Sequence, residues 1–318
     1  MFVNSKSEII NPKSYFISGI LICLLGSICF SSKAIFVKVA YRDTPVDAVT
    51  LLALRMLFSL PFFIISAAYS SRKSDNVKFN ARQWMGVALV GCLGYYVSSL
   101  LDFLGLQYVS AGIERLVLFI YPTLVLLMSA LIFKIKISPR QWLALLITYG
   151  GLCLAFGGEA DIVGNKHDFY TGVVLIFICA ITYAMYIVGS GRLIPVIGSS
   201  KFNSYAMSFA GIAVLIHFFI ISDTSLFNLP AMVYVYSFLM AVFATVIPSY
   251  LVAEGIRRIG SDNAAIVGSI GPVSTILQAY FILYEPIHAL QLTGTLLILV
   301  GVWIIGRKQK TDKDLPAT

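Results

Sequence analysis

Charged side chains and histidines are scarce in this sequence. Asp, Glu, Lys and Arg together make up 12% of the 318 residues, whereas soluble domains carry about 25%. Hydrophobic residues make up 58% of the chain, and its mean hydropathy is +0.88. A chain with so few polar groups cannot cover its apolar surface in water, so its natural solvent is lipid. The composition therefore predicts an all-α polytopic membrane protein.

The sequence also lacks the motifs of the common enzyme classes. It contains no HExxH motif, no DxxD-type metal cluster, no glycine-rich phosphate loop and no Ser–His–Asp set at one membrane depth. Metal-dependent hydrolysis, phosphate binding and nucleophilic catalysis depend on such arrangements. We therefore expect a protein that is not an enzyme, with no catalytic residues, no cofactor and no metal. No loop is long enough to hold a nucleotide-binding domain, which excludes an ATP-driven pump for this chain alone.

Neither the cysteines nor the net charge indicates another class. The five cysteines lie within apolar runs, without a CxxC pair or a nearby histidine, so they are interpreted as small buried apolar residues. The net charge is +8, but the basic residues fall in short clusters between apolar runs. This is the pattern of membrane loops, not of a nucleic-acid-binding patch. We expect the lipid bilayer as a partner and no nucleic acid.

Ten apolar runs have about the 20 residues that a membrane-spanning helix needs. The first run continues past Lys33 without a small-residue cleavage site, so it is interpreted as a membrane helix and not as a signal peptide. The ten runs lie near residues 15–39, 49–69, 84–106, 112–133, 141–157, 170–190, 202–221, 231–254, 263–283 and 289–306.

The distribution of basic residues predicts the orientation. If the N-terminus is cytoplasmic, 17 of the 23 Lys and Arg residues lie in the tails and loops of the cytoplasmic side, and three lie on the outer side. Cytoplasmic loops of membrane proteins carry such an excess of positive charge. We therefore expect a multi-pass protein of the cell (inner) membrane with two cytoplasmic tails, residues 1–14 and 307–318.

Two halves of the chain repeat each other. When residues 110–157 are set over 261–306 at an offset of 150, Pro122 meets Pro272 and Gly151 meets Gly301. The predicted repeats, 15–158 and 169–306, hold five spans each, and because five is odd the second repeat must enter the membrane inverted. Inverted repeats are typical of secondary transporters, which bind their solute near the bilayer midplane between the halves.

Two segments resemble a known family. The closing stretch LYEPIHALQLTGTLLILVGVWIIG, with Glu285, Pro286, Gly294 and Gly301, resembles the end of proteins of the EamA family in the drug/metabolite transporter superfamily. The stretch DFLGLQYVSAGIERLVLFIYP resembles a bacterial subgroup of that family. The first repeat departs from the pattern, since Ile135 stands where the second has Glu285. The resemblance covers about residues 15–306 and implies two five-helix EamA repeats and movement of a solute, commonly export, without naming the solute.

Five charged residues share one predicted layer in the outer half of the membrane: Lys33, Arg55, Asp102, Glu114 and Arg115. Charges at this depth are functional candidates by default. One interpretation is a salt-bridge cluster that staples helices together. The other is that the surplus positive charge faces a central cavity, where Lys33 or Arg55 contacts a carboxylate or phosphate of the solute. Arg115 could also extend to the membrane rim.

The second repeat carries tyrosines at the aligned positions. Tyr183 and Tyr186 either fill space between helices or present flat, hydrogen-bonding walls to a planar solute. Glu254 is interpreted as a partner of Arg257 and Arg258, and His217 as a hydrogen-bonded structural residue, with proton coupling as the alternative for both.

Prolines within the spans predict kinks. Pro122 and Pro272 form a symmetric pair, and Pro248 lies in the eighth span, so all three are candidate hinges. The function expected from these patterns is a secondary transporter, an exporter of a small organic metabolite by alternating access between the repeats. We expect an anionic or amino-acid-like solute. A membrane-embedded enzyme and a non-transporting structural subunit are the alternatives.

Overall fold

The computed structural model describes residues 12–72, 78–133, 139, 142–143, 146–147, 149–151, 153–154, 166–268 and 270–306. All regular structure in these residues is helical, as the composition predicts. The helices in chain order are α1 (Pro12–Asp43), α2 (Ala48–Arg72), α3 (Ala81–Gly91), α4 (Ser98–Gly105), α5 (Ala111–Leu118), α6 (Tyr121–Phe133), α7 (Lys166–Ile197), α8 (Ser199–Ile221), α9 (Ala231–Ala241), α10 (Ile247–Val267), α11 (Ile270–Gln278) and α12 (Ala289–Gly306).

Seven helical segments of the described residues are long and apolar enough to cross a membrane: Tyr15–Asp43, Ala48–Arg72, Ala81–Gly105, Ala111–Ile132, Lys166–Ile197, Ser199–Ile221 and Ala231–Ser261. Two shorter apolar helices follow, Ile270–Leu283 and Ala289–Gly301. About half of the expected fifth span, 141–157, lies outside the described residues. The protein is therefore a multi-pass helical membrane protein, and the total of ten spans stays a prediction.

Local sequence signals explain where several helices begin and end. Asn80 caps α3 in a reciprocal capping box with Gln83, which satisfies N–H groups that a helix start leaves free. Gly198 separates α7 from α8 with φ 90°, and Gly260 divides the Ile247–Val267 segment with φ 81°. Glycine adopts these left-handed conformations without the steric penalty that a Cβ would bring. Each glycine thus ends one apolar helix and starts the next.

Helices α1 and α10 pack side by side and run in opposite directions. At one end of this pair, Arg258 Nη1 donates to Ser18 Oγ at 2.7 Å, and at the other end Tyr236, in α9, donates to Asp43 Oδ2 at 2.7 Å. Large apolar side chains on the outside of the bundle are exposed, as Leu25, Ile65 and Phe219 show at 53, 69 and 73%. Such an apolar exterior suits lipid and not water.

Two spans carry a π-helical turn at equivalent positions. The third span is interrupted at Cys92–Val97 and the eighth at Val242–Val246, which match at the same offset of 150 that relates the prolines. A π turn inserts an extra residue into a helix, and such turns are frequent at functional sites. Pro248 directly follows the second of these turns, at the start of α10.

Candidate functional site

The fourth and ninth spans are broken at equivalent places, each four residues before a proline. α5 ends at Leu118, and the chain turns through Phe119 and Ile120 before α6 begins. Pro122 lacks an N–H group and so cannot donate to the Leu118 carbonyl, which frees this group from the helical ladder. In the second repeat, Gly268 lies in a turn four residues before Pro272.

A cavity lies between these two breaks. Leu118 and Gly268 both line it, together with Pro272; the Gly268 carbonyl accepts from the Gly271 N–H at 2.9 Å. Its walls come from α1, the third span, α5 and α6 of the first half and from α7, α10 and α11 of the second half. α1 joins α11 beside it, where Ser31 Oγ donates to the Gly271 carbonyl at 3.2 Å. Discontinuous helices around a site between two repeats are the arrangement by which secondary transporters bind solutes.

Two cations line the cavity, Lys33 and Arg115. Lys33 Nζ lies 2.8 Å from Asp102 Oδ2 and 5.4 Å from the centre of the Phe30 ring, which also lines the cavity. The ammonium group therefore has one full ion pair and an aromatic face. Its side chain is 4% exposed.

Arg115 is held less tightly. Its Nε lies 3.4 Å from Glu114 Oε2, and its Nη2 donates to the Ser31 carbonyl at 3.5 Å. Both distances exceed the 2.7–2.9 Å that is usual for charge-assisted hydrogen bonds. The guanidinium is nevertheless buried, with a side chain 7% exposed. Among the described residues, its contacts are thus both longer than a strong charge-assisted hydrogen bond.

The start of α5 fixes the position of this charged pair. Ser110 Oγ accepts a hydrogen bond from the Ile113 N–H at 3.1 Å. The carboxylate of Glu285, from the other half, accepts from the N–H groups of Ala111 and Gly112 at 3.3 and 3.4 Å. A carboxylate is favourable at the positive end of a helix dipole. The family-like acid of the closing stretch therefore joins the two halves beside the charged layer.

The acids of the layer lie behind the cations. Asp102 and Glu114 are fully buried, their carboxyl groups lie beside each other, and neither is among the residues that line the cavity. The structure thus brings Lys33, Asp102, Glu114 and Arg115 into one network. The cations of this network face the cavity, and the acids face away from it.

Arg55 occupies a separate position. Its side chain is 2% exposed, and its guanidinium carbon lies 4.8 Å from the centre of the Phe103 ring. Nε and Nη2 have no hydrogen-bond partner among the described residues. Arg55 does not line the cavity. It lies behind Asp102, whose charge acts on it, so it adds positive charge to the network from outside the cavity wall.

The two candidate tyrosines lie at different depths. Tyr183 lines the cavity, where its ring stacks with Phe30 at 6.2 Å and meets Tyr121 edge-on at 5.1 Å. Tyr186 is fully buried behind it and contacts Gly94 and Phe202. Tyr183 is therefore part of the cavity wall, whereas Tyr186 packs behind it.

Two other polar residues of the second half have side-chain partners. Glu254 accepts from Arg257 Nε and Arg258 Nε, each at 2.7 Å, as the sequence predicts. His217 Nδ1 lies 3.0 Å from the Tyr96 hydroxyl. Within the residues that the structure describes, no three His, Cys, Asp or Glu side chains are grouped as metal ligands.

Serine hydroxyls form the part of the cavity wall that the sequence did not single out. The four serines are Ser27, Ser31, Ser98 and Ser99. Their signal in the sequence is a spacing of four residues in α1 and an adjacent pair after the first π turn. Arg115, for which the sequence left the membrane rim as an alternative, is a second cation of the wall.

Comparisons with known proteins agree with this architecture. The model of the EamA-like transporter family matches residues 17–157 and 170–307. The uncharacterized transporter YcbK of Bacillus subtilis (strain 168) is 34% identical over 306 residues, which cover 93% of this chain and 95% of that relative. The uncharacterized transporter sll1319 of Synechocystis sp. (strain ATCC 27184 / PCC 6803 / Kazusa) is 25% identical over 315 residues, which cover 90% and 92%.

A solved crystal structure of a protein is also similar. It shares 18% sequence identity with a TM-score of 0.67, and the match covers 91% of this chain and 96% of that one. At this identity the likeness concerns the fold alone.

Proposed function

Because this chain belongs to the EamA-like transporter family, we propose that it is a secondary transporter that exports a small organic metabolite across the cell (inner) membrane. Ten spans in two inverted five-helix repeats, with 141–157 as the fifth span, would leave both termini in the cytoplasm. The two repeats would move against each other so that the solute site opens to one side at a time.

One observation carries the proposal: a cavity lies between two spans that are interrupted beside symmetric prolines. Wall residues from both halves, such as Ser31 and Gly271, contact each other beside it. A movement of one half relative to the other must therefore reshape this cavity. A structural subunit has no need of a polar cavity at the centre of its bundle.

A membrane-embedded enzyme is the less favoured alternative. Among the residues that the structure describes, the cavity wall contains no histidine and no carboxylate, and general acid–base catalysis in proteins uses these groups most often. The described part of the wall supplies hydroxyls, cations and aromatic rings, which are groups that bind a solute.

Flux in reconstituted vesicles tests the function. The purified protein is placed in vesicles loaded with a bacterial metabolite extract, and the compounds that leave are identified by mass spectrometry, with and without a proton gradient. We expect a small set of metabolites to leave faster than from protein-free vesicles. Absence of flux for every compound, with turnover of the vesicle lipid, would favour the enzyme.

A pair of tryptophan variants on one helix controls for insertion. Ser27 lines the cavity from α1, so Ser27→Trp places a large ring in the proposed path. Leu25, two residues earlier, is exposed on the outside of the bundle. We expect Ser27→Trp to lose flux and Leu25→Trp to keep it at equal amounts of inserted protein.

A further inference from the structure

The charges of the layer do not balance. Lys33, Arg55 and Arg115 are three cations, and Asp102 and Glu114 are two acids, all of them buried. With every group ionised, the layer carries a net charge of +1. An uncompensated charge at membrane depth is unfavourable by several kcal/mol, so its natural complement is a negative charge that enters from the cavity.

We propose that the cavity binds small organic anions, with Arg115 and Lys33 as the side chains that contact the anionic group. The inference rests on the proposed transport function and names the class of its solute. It differs from the sequence-based expectation in its residues, since Arg115 takes the place of Arg55.

The geometry of Arg115 is the main support. Its side chain is more than nine-tenths buried, lines the cavity, and has an Nε without a hydrogen-bond partner among the described residues. Guanidinium groups present five N–H donors in a fork that matches carboxylate and phosphate oxygens. Among the described residues the guanidinium is held by two long contacts, Nε to Glu114 at 3.4 Å and Nη2 to the Ser31 carbonyl at 3.5 Å, which the oxygens of an anion can replace.

The same layer explains why the cations stay in place without a ligand. Asp102 lies behind Lys33, and Glu114 lies behind Arg115, so each acid orients a cation towards the cavity. A cluster that only joined helices would bury all its members alike. Here the acids are fully buried, and both cations that contact them belong to the cavity wall.

The remaining wall selects for an apolar body. Phe30, Tyr121 and Tyr183 present aromatic rings beside the two cations. Ring faces and edges pack favourably against the apolar or aromatic part of a solute. The matching ligand therefore has an anionic group at one end and a flat or apolar body at the other.

Ligand-induced stabilisation tests the charge class with four probes that share a ring. Phenylacetate and phenylphosphate are anions, phenylacetamide is neutral, and phenethylamine is a cation. The full chain is purified in detergent, and its melting temperature is measured against probe concentration, since a ligand that binds only the folded state raises this temperature. We expect both anions to stabilise the protein and the amide and amine to have no effect.

Variants of Arg115 test whether this residue contacts the anion. We expect Arg115→Gln to weaken anion binding roughly tenfold or more, because a charge-assisted contact is lost, and Arg115→Lys to bind with intermediate affinity. Arg42 is an exposed arginine outside the cavity, with a side chain 52% exposed, so Arg42→Gln is the matched control and should bind anions normally.

Three results would overturn the anion site. They are no stabilisation by either anion, equal stabilisation by the amide or the amine, and undiminished anion binding by Arg115→Gln. Flux measurements separate this failure from failure of the transport function. If the vesicles export only neutral or cationic metabolites, the protein is a transporter but the anion site is wrong. Anion binding without any flux would leave an anion site without transport.

Discussion

At the scale of single residues, the two ion pairs of the charged layer differ in strength. Lys33 and Asp102 meet at 2.8 Å, whereas Arg115 and Glu114 are 3.4 Å apart. A buried ion pair repays the loss of hydration only with close, well-directed contacts. The looser pair is therefore the one that an entering anion can replace, since it has less attraction to lose.

Glu114→Gln should raise the affinity for anions while it lowers the stability of the empty protein. The substitution keeps the shape of the side chain but removes the negative charge that competes for Arg115. A buried cation that loses its partner destabilises the folded state by about 3–5 kcal/mol. A bound anion restores this partner, so we expect phenylacetate to bind on the order of tenfold more tightly.

Melting curves with and without phenylacetate measure both effects in one experiment. Asp223 is an exposed acid in the loop after α8, and Asp223→Asn controls for the loss of a negative charge alone. Unchanged or weaker anion binding by Glu114→Gln would show that Glu114 does not compete for Arg115. The role of Glu114 as a counter-charge would then be wrong.

At the scale of helices, glycines set how closely the spans approach. A Cβ at Gly91 would lie 2.5 Å from the Ala206 carbonyl oxygen and 2.7 Å from its Cα. These are backbone atoms, which cannot rotate away. Helices in membranes associate through such small residues, because lipid supplies no hydrophobic force between them. The contact of α3 with α8 thus depends on the missing side chain at Gly91.

Gly91→Ala should therefore destabilise the protein by about 1–3 kcal/mol, the usual effect of overpacking. Gly86, one and a half turns earlier in α3, is the matched control, because a Cβ there would meet only Leu193 side-chain atoms at 3.6 Å. We expect Gly86→Ala to be neutral or to stabilise by up to about 1 kcal/mol through helix propensity. Equal melting temperatures for the two variants would contradict the close approach.

At the scale of the whole molecule, the sequence predicts how deep a charged residue lies in the membrane better than it predicts which way its side chain faces. Residue counting placed Lys33, Asp102 and Glu114 in one layer, and the structure brings them together. Which side of a helix faces the cavity depends on how it rotates against its neighbours. Periodicity in an apolar span reveals little of that, because lipid-facing and buried positions are both hydrophobic. For this reason the sequence left open whether Arg115 extends to the membrane rim and named Lys33 or Arg55 as the solute contact.

Contacts between the two halves could not be predicted from the sequence either. Glu285 reaches the start of α5 across 173 residues of chain from Gly112. A single sequence shows the acid and the helix start but not that they meet. The proline pair was visible because it repeats at a fixed offset. The structure shows a short turn just before each proline, after Leu118 and at Gly268, and the role of these prolines as hinges stays a prediction.

The interruptions beside Pro122 and Pro272 lead to a prediction about how the two repeats move during transport. Replacing both prolines, in Pro122→Ala/Pro272→Ala, restores two N–H donors, and a proline inside a helix destabilises it by about 3 kcal/mol. We therefore expect the double variant to have a melting temperature at least equal to that of the wild type. We also expect it to export the identified metabolites at least about tenfold more slowly, because straight spans resist the reshaping of the cavity. Pro61→Ala removes a proline from α2 away from the cavity and should keep export. If the double variant is as stable as the wild type and exports at its rate, the breaks only shape the wall and do not serve as hinges.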